Sequence, residues 1–162
     1  MYSVSSYGKM IVDQRRMQAY VSALRQTVKP GSVVLDIGCG TGIMALLACQ
    51  LGARRVYAVE PSDAIQGARE IAAANGYADR IEFIQDLSTK ITLPERADVI
   101  VSDLRGILPF LDHHFASIAD ARRRHLAPGG VLIPRQDTLW AAIVSAPELF
   151  GAYIEPWEKY NY

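Results

Sequence analysis

Apolar positions recur every three to four residues from Tyr7 to Val28, at Met10, Met17, Tyr20, Val21 and Leu24. That spacing predicts one amphipathic helix, stopped by Lys29-Pro30-Gly31. Val33-Val34-Leu35-Asp36-Ile37 is a short β-branched run ended by glycines, the pattern of a strand buried on both faces of a parallel sheet. Ile43 to Leu51 predicts a helix closed by Gly52, Arg55 to Glu60 a second strand, and Pro61-Ser62-Asp63 the entry to a helix ending near Asn75-Gly76. Ile81 to Ile84 and Ala97 to Ser102 supply the third and fourth strands. A helix from about Pro109 to Leu126 then leads through Pro128-Gly129-Gly130 into Val131-Leu132-Ile133.

Strands alternating with helices imply an α/β fold with a doubly wound, mostly parallel sheet. After Pro134 the pattern changes. Asp137 to Ser145 predicts one more strand, and Ala152 to Tyr162 ends in Trp157, Tyr160 and Tyr162 with little chain left to cover them. Such an end fits either a truncated chain or a terminal segment folded back on the domain. The expected division is a ligand-binding domain over residues 1–134, then an extra strand and the start of a C-terminal extension over residues 135–162.

Composition narrows the choice of partners. The 162 residues, half of them hydrophobic, suffice for one compact domain with a core. Seventeen basic residues balance seventeen acidic ones, which removes the broad positive field that non-specific nucleic-acid or anionic-membrane binding uses. The two cysteines, Cys39 and Cys49, lie too close in sequence to staple a small secreted fold, and no metal-ligand spacing surrounds them. No secretory signal or bilayer-length apolar run occurs, so a cytoplasmic setting is expected.

The strongest chemical signal is Val34-Leu35-Asp36-Ile37-Gly38-Cys39-Gly40-Thr41-Gly42, a strand running into a glycine-spaced turn that opens a helix. Glycines there let a ligand approach the backbone. A dinucleotide loop is the competing reading, but its third glycine would fall at Ile43. Charge separates the two. Asp36, two residues before Gly38, repels a pyrophosphate and attracts a cation. S-adenosylmethionine, with its ammonium and sulfonium, has the required sign. Glu60 ends the second strand 24 residues after Asp36, where an acidic side chain can accept hydrogen bonds from ribose hydroxyls.

This set resembles the class I S-adenosylmethionine-dependent methyltransferases, with their Rossmann-like sheet. The resemblance implies cofactor contacts from Asp36, Gly38, Cys39, Gly40, Gly42, Glu60 and Pro61, with Ser102 at the end of the fourth strand. Ile84-Gln85-Asp86-Leu87-Ser88 lies where that family surrounds the adenine, which implies roles for Asp86 and Leu87; an exposed loop carboxylate is the alternative for Asp86.

A narrower resemblance is to the protein arginine methyltransferases. Tyr7-Gly8-Lys9-Met10-Ile11-Val12-Asp13-Gln14-Arg15-Arg16 is similar to the segment they fold over the cofactor, and Asp13, Arg16 and Tyr20 share one helical face. The resemblance implies that Arg16 pairs with the cofactor carboxylate and that Met10 packs near the sulfonium. The family's paired aromatics before this segment are not matched by Tyr2 and Tyr7. Ser102 to Asp112 resembles the loop carrying two glutamates that grip the substrate guanidinium; both are aspartates here, Asp103 and Asp112, and the family's neighbouring tryptophan is Leu104. Asp112 is also a candidate helix N-cap.

The resemblance thus implies a methyltransferase with Asp103 and Asp112 at the acceptor site. The acceptor would be an arginine, another amine or a small molecule, protein-borne or free, with S-adenosylhomocysteine as product. A regulatory module that holds the cofactor without efficient catalysis is the alternative. The family carries a β-barrel after this domain, which helps it form dimers, and Pro134 to Tyr162 could only begin such a barrel. Three features stay structural in this reading. Arg122-Arg123-Arg124-His125 complements a helix dipole, His113 and His114 point apart on a helix, and Cys39 has no partner base in sequence.

Overall fold

The computed structural model describes residues 4–106 and 114–160. Five strands, β1 (Val33–Ile37), β2 (Arg55–Val59), β3 (Ile81–Ile84), β4 (Ala97–Ser102) and β5 (Leu126–Ile133), form one sheet in the order β3-β2-β1-β4-β5. Every pairing is parallel. Ile37 stands beside Val59 on one side and Ser102 on the other, so β1, β2 and β4 end at one level. The order reverses between β1 and β4, which opens a crevice at their carboxyl ends.

Side-chain alternation divides the core into two layers. Val34 of β1, Ala58 of β2 and Val101 of β4 pack under α2 (Gln14–Thr27) and α3 (Ile43–Gln50), against Tyr20, Leu24, Ala45 and Ala48. Leu35, Ile37 and Ile100 face the opposite way, toward Ala121 and Ile118 of α5 (His114–Arg124). With both faces covered, all five residues of β1 are buried, as its β-branched composition requires. The helix between β2 and β3, α4 (Ala64–Ala74), lies close to the expected span.

The N-terminal helix is not continuous. It comprises α1 (Val4–Val12) and α2, broken at Asp13, whose extended backbone and side chain, accepting from the Arg16 amide at 3.2 Å, cap α2. An aspartate competes for backbone donors and prefers such a boundary over a helix interior. Within α2 the expected apolar stripe holds, with Tyr20 and Leu24 buried.

β5 starts earlier than expected. Pro128-Gly129-Gly130 lies inside it, where the register slips between Ala97 opposite Leu126 and Val99 opposite Val131; Gly129, at φ 78°, absorbs the bulge. The extra strand expected over Asp137 to Ser145 is absent: residues 135–146 take no regular structure, and α6 (Pro147–Tyr160) follows with no buried residue. A strand there would need a sheet edge to pair with, and none of the five strands pairs with this segment. The start of the helix expected from Pro109 lies outside the described residues. Among the described residues no helix is long and apolar enough to cross a membrane.

Candidate functional site

The loop from β1 to α3 is fastened to the end of β2 from two sides. The Val59 carbonyl accepts from the amides of Gly38 (2.8 Å) and Cys39 (3.1 Å). The buried Glu60 carboxylate accepts from the Gly40 amide at 3.0 Å through Oε2 and from the Ser62 amide at 2.9 Å through Oε1. Gly38 and Gly40 sit at φ 73° and 53°, in the left-handed region that side chains rarely adopt. A Cβ on Gly38 would strike the Leu104 side chain, and one on Gly40 the Tyr7 ring. Gly42 serves packing instead: a Cβ there would meet the Ala68 Cβ at 3.2 Å, so this glycine sets how closely α3 approaches the helix after β2.

Above the loop lies a cavity of about 580 Å³. Tyr7, Met10 and Ile11 of α1 form its roof, with Arg16 of α2 beside them. Asp36, Gly38 and Cys39 form its floor, and Glu60, Pro61 and Asp103 its sides. Arg16 pairs with Asp103, joining α2 to the end of β4 across the cavity wall. Three carboxylates, Asp36, Glu60 and Asp103, thus face the cavity with one guanidinium, a balance suited to a ligand carrying positive charge.

Asp36 is buried at 2% exposure, and the Ala45 amide donates to its Oδ2 at 3.1 Å. Burial, more than the neighbouring charges of Glu60 and Asp103, raises its pKa from 3.8 to about 7, against the lowering effect of the Ala45 amide. Burial also pushes the Cys39 thiol upward, reinforced by Asp36 and Glu60, so this cysteine stays a protonated wall group and not a nucleophile.

The expected residues separate into three groups. Met10, Arg16, Asp36, Gly38, Cys39, Glu60, Pro61 and Asp103 converge on the cavity. Gly40 and Gly42 shape its loop without lining it. Asp86, Leu87 and Ser102 stand apart from it. The Asp86 carboxylate accepts from the Leu87 amide at 2.7 Å, Leu87 is exposed, and Ser102 turns toward the α5 face because it follows Ile100 in the alternation of β4. Asp112 lies outside the described residues.

Tyr20 acquires a role that its place in an apolar stripe did not announce. Its buried hydroxyl donates to the Ser102 carbonyl at 3.1 Å and accepts from Arg105 at 3.1 Å, while Arg105 pairs with Asp137. Burial first, and the Asp103 charge next, push the Tyr20 phenol up to about 12. The hydroxyl therefore keeps its proton and pins α2 to the residue before Asp103. A tyrosine on a leucine-like stripe, opposite a strand end, was the available signal.

Comparison with known proteins agrees with this geometry. Residues 17–135 match the family model described as ribosomal protein L11 methyltransferase (PrmA). A probable protein arginine N-methyltransferase 6 of Arabidopsis thaliana is 36% identical over 158 residues, covering 96% of this chain and 36% of the relative. Protein arginine N-methyltransferase PRMT10 of Oryza sativa subsp. japonica is 43% identical over 136 residues, 83% of this chain and 36% of that protein. Among solved structures, Arabidopsis thaliana protein arginine methyltransferase 10 superposes with a TM-score of 0.76 at 36% identity, over 81% of this chain and 38% of that one. The Trypanosoma brucei PRMT1 enzyme-prozyme complex with AdoHcy gives 0.71 at 34% identity, over 78% and 40%. The chain spans little more than a third of the length of these curated relatives. The glycine loop, the acid at the end of β2 and these matches together show that the chain belongs to the PrmA-type, class I S-adenosylmethionine-dependent methyltransferases and is similar in sequence to the protein arginine methyltransferases.

Proposed function

We propose that this chain binds S-adenosylmethionine in the 580 Å³ cavity and directs its methyl group to an arginine, another amine or a small-molecule acceptor held beside Asp103. The observation that carries this reading is the Arg16–Asp103 pair: one wall of the cavity holds a guanidinium suited to the cofactor's carboxylate and, in contact with it, a carboxylate suited to a cationic acceptor. The residues fit the cofactor. The carboxylate excess suits a sulfonium and an ammonium, and each Glu60 oxygen, accepting one amide, keeps a second lone pair for a ribose hydroxyl.

When bound, the cofactor supplies an electrophilic methyl group for in-line displacement. The chain supplies alignment and dryness. Glu60 fixes the ribose end, Arg16 the carboxylate end, and Tyr7, Met10 and Ile11 shield the centre from water. Asp103 orients the acceptor nitrogen and can take up its proton, and Asp112 is proposed as the second carboxylate of that clamp.

For the whole polypeptide we also infer a protein or small-molecule acceptor, assembly as a homodimer where a C-terminal domain is present, and neither a membrane nor nucleic acid as partner. Two buried free thiols, Cys39 and Cys49, support a reducing, cytoplasmic setting. The test is titration with S-adenosylhomocysteine, with NAD as control, followed by transfer of a labelled methyl group to candidate acceptors. Selective binding with transfer supports the enzyme, binding without transfer favours a regulatory module, and binding of NAD alone overturns the assignment.

A further inference from the structure

The chain leaving β4 closes around a single oxygen atom. The Tyr20 hydroxyl, on the buried face of α2, donates to the Ser102 carbonyl at 3.1 Å and accepts from Arg105 Nη2 at 3.1 Å. Its proton and one lone pair are thereby committed in fixed directions. Ser102 and Arg105 meet this oxygen from the two ends of the segment 102–105, with Asp103 between them. Arg105 is itself held by Asp137, from the chain after β5, in a pair whose side chains keep 29% and 27% exposure. Tyr20 thus ties together α2, the end of β4 and the segment that follows β5.

The same helix also grips Asp103 directly. Arg16, one helical turn before Tyr20, pairs with the Asp103 carboxylate, whereas Tyr20 holds the carbonyl of the peptide that joins Ser102 to Asp103. The two holds differ in permanence. Arg16 lines the cavity, where a ligand carboxylate would compete with Asp103 for its donors. Tyr20 is buried and is not among the residues facing the cavity, so no ligand there competes for its hydroxyl. Burial, then the nearby Asp103 charge, pushes the phenol up to about 12, so the donor persists at neutral pH.

We infer that Tyr20 is a positioning residue for Asp103, kept in place by the Arg105–Asp137 pair, and that it holds this carboxylate still once a ligand has engaged Arg16. Its bearing on methyl transfer rests on the function proposed above; its hold on Asp103 does not. The test reads the two separately. In the free chain the Arg16 Nε–H signal, identified by its loss in Arg16→Gln, reports the pair with Asp103 in proton–nitrogen spectra. Tyr20→Phe, which removes only the hydroxyl, is expected to move that signal at least halfway toward the position it takes in Asp103→Ala. Arg105→Gln and Asp137→Asn are expected to move it the same way, and Asp137→Glu to restore it. Among the described residues Arg16 bonds to Asp13 and Asp103 and to none of these three, so a purely structural role would leave its signal in place. In transfer assays Tyr20→Phe is expected to lower kcat about tenfold while S-adenosylhomocysteine affinity stays within about threefold. Amide spectra report folding of each variant independently. Folded Tyr20→Phe or Asp137→Asn chains with a wild-type Arg16 signal overturn the inference, as does an unchanged kcat in Tyr20→Phe. A chain that shows the Arg16 shift but transfers no methyl group would count against the proposed function and leave the hold on Asp103 standing.

Discussion

Arg16 and Asp103, 87 residues apart in sequence, form the ion pair that joins α2 to the end of β4. Their side chains keep 31% and 24% exposure, so solvent screens the pair and it adds little to folding, about 0–1 kcal/mol. Its value lies in the site. Asp103→Ala is expected to lower methyl transfer at least 100-fold while S-adenosylhomocysteine affinity stays within about threefold; Arg16→Gln is expected to weaken that affinity about 10- to 100-fold. Titration and single-turnover transfer with both variants separate the roles, and equal effects on binding would contradict the division.

Backbone conformation governs the loop. Gly40→Val places a branched side chain at φ 53° against the Tyr7 ring, so binding of S-adenosylhomocysteine is expected to fall more than 100-fold. Glu60→Ala removes the acceptor of two amides and is expected to cost about 10- to 100-fold. Calorimetric titration checks both, and wild-type affinity in both would remove the cavity's assignment.

Asp36 gives binding a pH dependence of definite sign. Its carboxyl titrates near pH 7 in the folded chain and near 3.8 when unfolded, so the native state retains a proton that the unfolded state has released. The free chain therefore loses stability as pH rises from about 4 to about 7, the reverse of a carboxylate with a depressed pKa. A cationic ligand favours the ionised carboxylate, so affinity for S-adenosylmethionine is expected to rise from pH 5.5 to 7.5 and then level off. Titrations in two buffers of different ionisation enthalpy measure the released proton. Asp36→Asn is expected to flatten the profile, and a profile unchanged in that variant would assign the proton elsewhere.

Core and terminal positions are expected to respond very unequally. Replacing Leu24, 0% exposed on the inner face of α2, by alanine is expected to cost about 2–5 kcal/mol of stability. Ile143, fully exposed in the irregular segment, is expected to change less than 0.5 kcal/mol on replacement by serine. Denaturant unfolding of the two variants distinguishes a core confined to the sheet domain from one that extends past residue 134.

Sequence reading went furthest where one period dominates. The buried run of β1 and the alternation of β4 each depend on a single spacing, and their boundaries match expectation, as does the C-terminal end of α2 to within a residue. The break at Asp13 escaped because apolar spacing continues across it while a side-chain cap decides against continuity. The bulge in β5 escaped because a Pro-Gly-Gly sequence signals a turn equally well. In the site, Asp36, Gly38 and Glu60 were readable from charge and spacing along one strand-loop-helix unit. Ser102 lines the other face of the sheet, because a strand end has two faces and the motif does not say which one a side chain takes.

The double fastening of the glycine loop has a thermodynamic consequence. Val59 and Glu60 hold four amides of the loop and of the turn that follows β2 before any ligand arrives. Entropy that would otherwise be lost in ordering this backbone during binding has already been lost in folding. The ligand then meets a loop already in place, and binding is expected to cost this backbone little further entropy.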